Sequence, residues 1–197
     1  MVRISGGIHR GRTLQVPRAG VRPTKDMVRQ ALFSAIGDSI TGKRVLDLFA
    51  GSGAIGLDAL SRGASAAVFI EMHPRTYEML TRNLHALYPE SSPLRRTVRA
   101  DAFAWLRGFR ENESFDLIVA DPPYRPPEGE AWGASLTAAL AGHPALRPGG
   151  LFVLEQHADE PVIDNPVLSV IKDARYGETR LVYYRQAEPA DSREATS

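Results

Sequence analysis

Asp121-Pro122-Pro123-Tyr124, placed directly after the apolar run Phe115 to Ala120, has the makings of a site that methylates an exocyclic amine. The lone pair of an amino group on an aromatic base is delocalised into the ring and must be localised before it attacks a methyl donor. Hydrogen-bond acceptors on both N–H groups would do this. The Asp121 carboxylate accepts one, and the Pro-Pro pair stiffens the backbone so that the Pro122 carbonyl accepts the other. Tyr124 offers an aromatic face on which the base stacks. The same four residues also suit an ordinary turn, because Asp and Pro favour turns for conformational reasons alone. The rest of the chain favours the first reading.

A second constellation lies upstream, in Asp47-Leu48-Phe49-Ala50-Gly51-Ser52-Gly53-Ala54-Ile55-Gly56, a glycine-rich turn that opens a helix. Glycines let the backbone approach a ligand closely, and a helix N-terminus favours an anionic group. Glu71, twenty residues past Gly51, is placed to bind the hydroxyls of a ribose. Gly51, Gly53 and Gly56 also spell the dinucleotide fingerprint, so a nicotinamide-dependent oxidoreductase competes on this motif. Three acids shift the balance toward S-adenosylmethionine. Asp47 suits the cationic amino-acid end of that cofactor better than a pyrophosphate. Asp101 is placed to accept from the adenine amine, with a helix N-cap as the alternative reading. Asp121 follows at the next strand end, so the acids share the carboxyl edge of one sheet. Phe49, Ser52, Met72 and Ala102, beside these residues, complete the candidate cofactor shell. A dehydrogenase would also need a substrate domain, for which the chain has little room.

The elements that must position these residues follow from the hydrophobic pattern. Short apolar runs at Val45–Phe49, Ala66–Ile70, Thr97–Ala100, Phe115–Ala120 and Leu151–Leu154 alternate with helical patterns near Ala54–Ser61, Pro74–Leu87, Ala102–Phe109 and Ala134–Ala141. Strands alternating with helices imply a parallel sheet covered on both faces. Val167–Ile171 and Thr179–Tyr184 then follow with only a turn through Gly177 between them, and should pair as an antiparallel hairpin. Seven strands with the last two antiparallel is the Rossmann-like α/β sheet of class I S-adenosylmethionine-dependent methyltransferases. Upstream, Val2-Arg3-Ile4 and Arg12 to Val16 alternate around Gly6, Gly7 and Gly11, which predicts a small β-hairpin. A helix capped by Thr24 and ended by Gly37 follows it. The expected organisation is a basic hairpin arm over 1–23, a catalytic domain over 24–186 and a disordered polar tail over 187–197.

Composition narrows the class further. With 197 residues, 43% of them hydrophobic, the chain buries one domain of ordinary size. It has no cysteine, hence no disulfide framework, thiolate metal site or cysteine nucleophile. His9, His73, His85, His143 and His157 lack metal-ligand spacing, so no metal is expected. With no run of membrane-spanning length and no signal peptide, a soluble cytoplasmic protein is expected. The net charge of +1 conceals an asymmetry: residues 1–30 hold seven cations against Asp26, a balance of +6, which leaves −5 for the remainder. Arg3, Arg10, Arg12, Arg18, Arg22 and Arg29 are therefore candidate RNA contacts, the alternative being a solvated basic face. Arg22 and Arg29, near the junction of arm and domain, could instead face the carboxylate of the cofactor. Trp132 is expected to pack, with an RNA contact as the alternative.

Arg3-Ile4-Ser5-Gly6-Gly7, Arg10-Gly11-Arg12 and Arg22-Pro23-Thr24-Lys25-Asp26-Met27-Val28-Arg29-Gln30-Ala31-Leu32-Phe33 resemble the N-terminal signature of the RsmD family of bacterial 16S ribosomal RNA guanine-N2-methyltransferases. The resemblance runs on through Asp47 to Gly56, Glu71, Asn83-Leu84, Asp121 to Tyr124 and the closing Tyr176-Gly177-Glu178-Thr179. The chain departs from the family pattern at Met27, Gln30 and Ser34, all in the first helix. The resemblance implies methylation of the N2 amine of one guanine in 16S ribosomal RNA, within an assembling small subunit, by a protein expected to be monomeric. The residues themselves give only the amine chemistry, since adenine N6-methyltransferases use a similar motif. A non-catalytic RNA-binding assembly factor is the alternative from another class.

Overall fold

The computed structural model describes residues 2–17, 23–110, 114–123 and 131–188, with Pro23 to Lys25 described by backbone alone. Tyr124, Arg18, Arg22, the side chain of Thr24 and residues 189–197 of the expected tail lie outside the described residues.

The chain opens with β1 (Val2–Arg3) and β2 (Thr13–Leu14), paired antiparallel, and continues into α1 (Pro23–Ile36). This helix starts one residue before the expected Thr24 cap, because proline at a first helical position lacks only an N–H that would have no intrahelical partner. A 3-10 turn (Gly37–Ile40) follows it. Then come β3 (Arg44–Asp47), α2 (Ala54–Ser61), β4 (Ala66–Ile70), α3 (Pro74–Leu87), β5 (Arg95–Val98), α4 (Ala102–Arg107) and β6 (Phe115–Ala120). The chain closes with α5 (Trp132–Leu140), β7 (Leu146–His157), β8 (Leu168–Tyr176) and β9 (Thr179–Gln186).

Seven strands form one sheet in the order β5-β4-β3-β6-β7-β9-β8. The strands from β3 to β7 pair in parallel, while β9 inserts antiparallel between β7 and β8. This is the expected class I methyltransferase sheet with its closing hairpin. Alternate residues of the central strands feed opposite layers, which explains their unbroken apolar runs. Val45, Leu117 and Val119 pack with Val28, Leu32 and Phe33 of α1, whereas Leu46, Ile118 and Phe152 join Leu106, Leu136 and Leu140 of α4 and α5. No helix among the described residues is long and apolar enough to cross a membrane.

The bounds of β3 and β9 shift by up to two residues from the sequence expectation, and three further strands differ in ways that the structure explains, two of them at sheet edges. β5 begins at Arg95 rather than Thr97, since an edge strand tolerates charged residues and the Arg95 guanidinium lies over the Tyr88 ring. β8 runs on through Lys172 to Tyr176, where most side chains on this outer edge are exposed and give no apolar signal. β7 starts at Leu146, and the turn-like Pro148-Gly149-Gly150 is absorbed as an irregularity between the Phe115–Leu146 and Leu117–Leu151 pairs.

The N-terminal hairpin is packed onto the domain. Val2, Ile4 and Leu14 share a core cluster with Leu57 and Leu60 of α2 and Leu80 and Leu84 of α3. Its turn is seated on the end of α2: the Ile8 N–H donates to the Ser61 carbonyl at 2.8 Å and the His9 N–H to Ser61 Oγ at 2.9 Å. Gly7 has φ +75°, and a Cβ there would lie 1.7 Å from the Ser61 carbonyl oxygen, so only glycine fits this seat.

Candidate active site

The strand order reverses between β3 and β6, the place where open α/β sheets leave a crevice beyond their carboxyl ends. Leu48 N–H donates to the Val119 carbonyl and Ala50 N–H to the Ile70 carbonyl, each at 2.9 Å, so the loop after β3 leaves the sheet between its two neighbours. Gly53 then caps α2 at φ +86°, where an added Cβ would lie 2.5 Å from Leu80 Cδ1. The loop is thereby held close over α3.

Asp47, the last residue of β3, is buried behind this loop. Its Oδ2 accepts the Gly56 N–H at 3.1 Å, while Oδ1 is buried with no hydrogen-bond partner. Burial pushes its carboxyl up to about 7 against the opposing Gly56 N–H, and the charges of Asp121 and Glu71 add to the rise. Glu71, just past β4, accepts Gly51 N–H at 3.0 Å on Oε2 and His73 N–H at 2.7 Å on Oε1. Met72 beside it is 65% exposed. Asp101 caps α4, its Oδ1 accepting the Ala104 N–H at 2.8 Å, so the helix-cap reading is realised for one oxygen; Ala102 is buried behind it.

Asp121 leaves β6 half-buried, followed by buried Pro122 and exposed Pro123. The Pro123 carbonyl accepts the indole N–H of Trp132, whose ring lies edge-on to Phe49 and parallel to Phe103. The packing expected of Trp132 is present. Its bond to Pro123 had no signal in the sequence beyond proximity along the chain.

Two further residues escaped sequence reasoning as site elements. Asn83 of α3 donates to the Ser52 carbonyl at 2.9 Å and the Gln15 carbonyl at 2.8 Å, and accepts Gln15 N–H at 2.9 Å. It thus ties the glycine loop to the arm. Asp58 is fully buried in α2, bonded by Ser5 N–H at 2.8 Å and Gly6 N–H at 3.2 Å and ion-paired with Arg29 at 2.7 Å. The available signal was a lone acid in the otherwise apolar Ala54–Ser61 segment.

That ion pair corrects one expected RNA contact. Arg29 is 7% exposed and turned inward, pairing with Asp58 and donating to the Arg3 carbonyl at 2.6 Å. It presents no charge to a phosphate because the buried Asp58 carboxylate requires a cation beside it. Arg3, Arg10 and Arg12 are exposed on the arm.

The sequence model of the family described as conserved hypothetical protein 95 matches residues 2–185. A Haemophilus influenzae protein named ribosomal RNA small subunit methyltransferase D is 32% identical over 185 residues, covering 93% of this chain and 92% of that protein. The Escherichia coli protein of the same name is 41% identical over 125 residues, a stretch that is 63% of this chain and spans only 61% of the relative. Among solved structures, a putative methyltransferase of Escherichia coli superposes with a TM-score of 0.80 at 31% identity, covering 95% of this chain and 99% of that one. A Thermus thermophilus 16S rRNA N2 methyltransferase, solved in complex with AdoMet and guanosine, superposes with a TM-score of 0.63 at 25% identity. That match covers 86% of this chain and 44% of the other.

Proposed function

The chain belongs to the RsmD family, and on that premise we propose that it transfers a methyl group from S-adenosylmethionine to the exocyclic N2 amine of a guanine in 16S ribosomal RNA, within an assembling small subunit. The observation that carries the reading is the pairing, on adjacent strands, of Asp47 with its unmet buried oxygen and the Asp121-Pro122-Pro123 acceptor turn. An unpartnered carboxylate oxygen fits a cationic group, here the ammonium at the amino-acid end of the cofactor. Glu71 keeps a second lone pair on each oxygen for the ribose hydroxyls, and Asp101 keeps acceptor capacity beyond its cap for the adenine amine. The Thermus thermophilus relative, solved with AdoMet and guanosine, supports both ligand types.

The bound cofactor would supply an electrophilic sulfonium methyl. Asp121 and the Pro122 carbonyl accept the two N–H bonds of the target amine and aim its lone pair at that methyl. Tyr124 stacks on the base. The N–C bond forms as the S–C bond breaks, and the amine proton passes to Asp121 or a shared water. Positioning supplies much of the acceleration, and the base reaches the turn flipped out of its stack. Arg3, Arg10 and Arg12 hold RNA phosphates.

The test is transfer of labelled methyl from S-adenosylmethionine to small subunits lacking the modification, with identification of the labelled nucleoside. Label in N2-methylguanosine is expected. Label in N6-methyladenosine would retain the mechanism and overturn the base assignment; no transfer to subunits, naked RNA or DNA would favour a binding factor. Asp121→Ala should lower kcat by about a thousandfold with cofactor affinity within twofold, on the scale of losing a group that acts in the transition state.

A further inference from the structure

We infer that Trp132 is the positioning residue of the methyl-acceptor turn, its indole N–H holding the Pro123 carbonyl so that the preceding Pro122 carbonyl faces the target amine. This rests on the function proposed above. Three contacts of one side chain carry it. The indole N–H donates to Pro123, two residues past Asp121; the ring meets Phe49, two past Asp47, at 5.4 Å and 68°; and it lies parallel to Phe103, two past Asp101, at 6.1 Å and 10°. Trp132 therefore meets the segments that follow three of the four carboxylates at the sheet edge, Asp47, Asp101 and Asp121.

The turn needs such a support. Pro123 is exposed and begins the departure from β6, and neither proline has an N–H with which to fasten the backbone. The Pro123 ring fixes its φ, so a bond that fixes the direction of its carbonyl also fixes ψ. With both set, the plane of the Pro122–Pro123 peptide, and hence the Pro122 carbonyl, has little freedom left. An indole has a single donor and no acceptor, so it cannot exchange this role for another once half-buried against two phenyl rings. Small displacements of an acceptor in a direct displacement reaction cost rate strongly.

The experiment compares Trp132→Phe, which retains an aromatic ring and loses the donor, with Trp132→Ala, which loses both. Trp132→Phe should lower kcat about tenfold while the KM for RNA, the cofactor Kd and the melting temperature stay close to wild type. Trp132→Ala should lower kcat further and also weaken cofactor binding, through the lost contacts with Phe49 and Phe103. An unchanged kcat in Trp132→Phe would overturn the inference. A parallel loss of kcat, affinity and melting temperature would overturn it too, by reducing Trp132 to a packing residue. A readout independent of turnover is the ¹⁵N-indole signal of Trp132, assigned with a Trp105→Phe variant. Slow proton exchange and a shift on adding guanosine with S-adenosylhomocysteine are expected, and exchange as fast as a free indole would overturn the inference. Should the wild type transfer no methyl to any RNA, the proposed function fails by itself and the indole signal alone decides whether the turn is held as inferred.

Discussion

Asp47 and Asp58 are both buried, at 1% and 0% exposure, yet one lies just ahead of α2 at the crevice and the other within that helix against the arm. Asp58 is saturated: Ser5 and Gly6 donate backbone N–H groups, the Ser5 hydroxyl donates at 3.0 Å, and Arg29 and Arg62 supply charge. Burial still raises its pKa above the ordinary range, with Arg29, Ser5 and Arg62 pulling the other way. Asp47 has one backbone donor and an oxygen with none. A buried carboxylate that the fold has satisfied is a fastener, and one that it has left unsatisfied is the proposed contact for the cofactor. Removal of the first is expected to cost stability and removal of the second to cost binding.

The sharpest way to break that contrast is Asp58→Ala, which leaves the buried Arg29 guanidinium with the half-buried Asp26 at 3.1 Å and the Arg3 carbonyl, and releases Ser5 and Gly6 from α2. Breaking one partner of a buried pair costs about 3–5 kcal/mol, which for a domain of this size lowers the melting temperature by roughly 10 °C. Thermal unfolding followed by circular dichroism checks it, and a shift below about 3 °C would show that the existing Asp26 pair and solvent suffice for Arg29. Asp47→Asn should do the opposite. It should weaken S-adenosylmethionine binding by about a hundredfold in calorimetry without lowering stability at pH 8. The folded pKa of Asp47, about 7, lies above its ordinary 3.8, so the stability of the protonated form is full below 3.8 and is lost as pH rises through 7. A side chain that never ionises escapes that loss, so the variant should equal or exceed the wild type in melting temperature at pH 8, an advantage that shrinks as pH falls and is gone only below about 4.

Much of this difference was invisible in the sequence, where Asp47 and Asp58 are simply acids near a glycine-rich turn. The crevice itself was legible, because Asp47, Glu71, Asp101 and Asp121 each follow an apolar run and parallel strands deliver such residues to one edge. The bounds of α2, β4, α3 and β6 were legible for the same reason, since their apolar patterns reflect burial that local sequence encodes. β5 and β8 were not, because edge strands need not be apolar. Arg29 was misread because net charge along a segment does not say which way a side chain points. Only the three-dimensional meeting of α1, α2 and the arm turns it inward. Trp132 and Asn83 bond to backbone groups, nine positions away for Trp132 and 31 and 68 away for Asn83, for which no sequence pattern exists.

A gentler probe of the unsatisfied side of the comparison is pH. Binding a cation beside Asp47 requires the carboxylate form, so below about 7 each binding event must expel a proton. Cofactor affinity should fall about tenfold from pH 8 to pH 6, approaching one decade per unit below the pKa. Calorimetry in two buffers of different ionisation enthalpy should register proton release at pH 6.5. Asp47→Asn should show neither the release nor the slope. A flat affinity in the wild type would mean that the cationic end of the ligand sits elsewhere.

The smallest effects belong to the arm, where the outward arginines should contribute to RNA binding and almost nothing to the fold. Arg10 and Arg12 are exposed on the turn seated on Ser61, and burial together with the Arg12 charge holds the His9 imidazole below its ordinary range. His9 therefore adds no charge at neutral pH, and the positive charge of this turn rests on the two arginines. Replacing either with Ala should change stability by less than about 0.5 kcal/mol. Each replacement should reduce the slope of log affinity for RNA against log salt by about 0.7–0.9, the value for one lost phosphate contact. Arg29→Ala, three positions past Asp26 and buried, should behave in reverse, with a lower melting temperature and an unchanged slope if enough folded protein remains to titrate. An Arg10→Ala or Arg12→Ala protein with an unaltered salt slope would remove the turn from the RNA contact while leaving its attachment to α2 intact, so the two functions of the arm can be separated one arginine at a time.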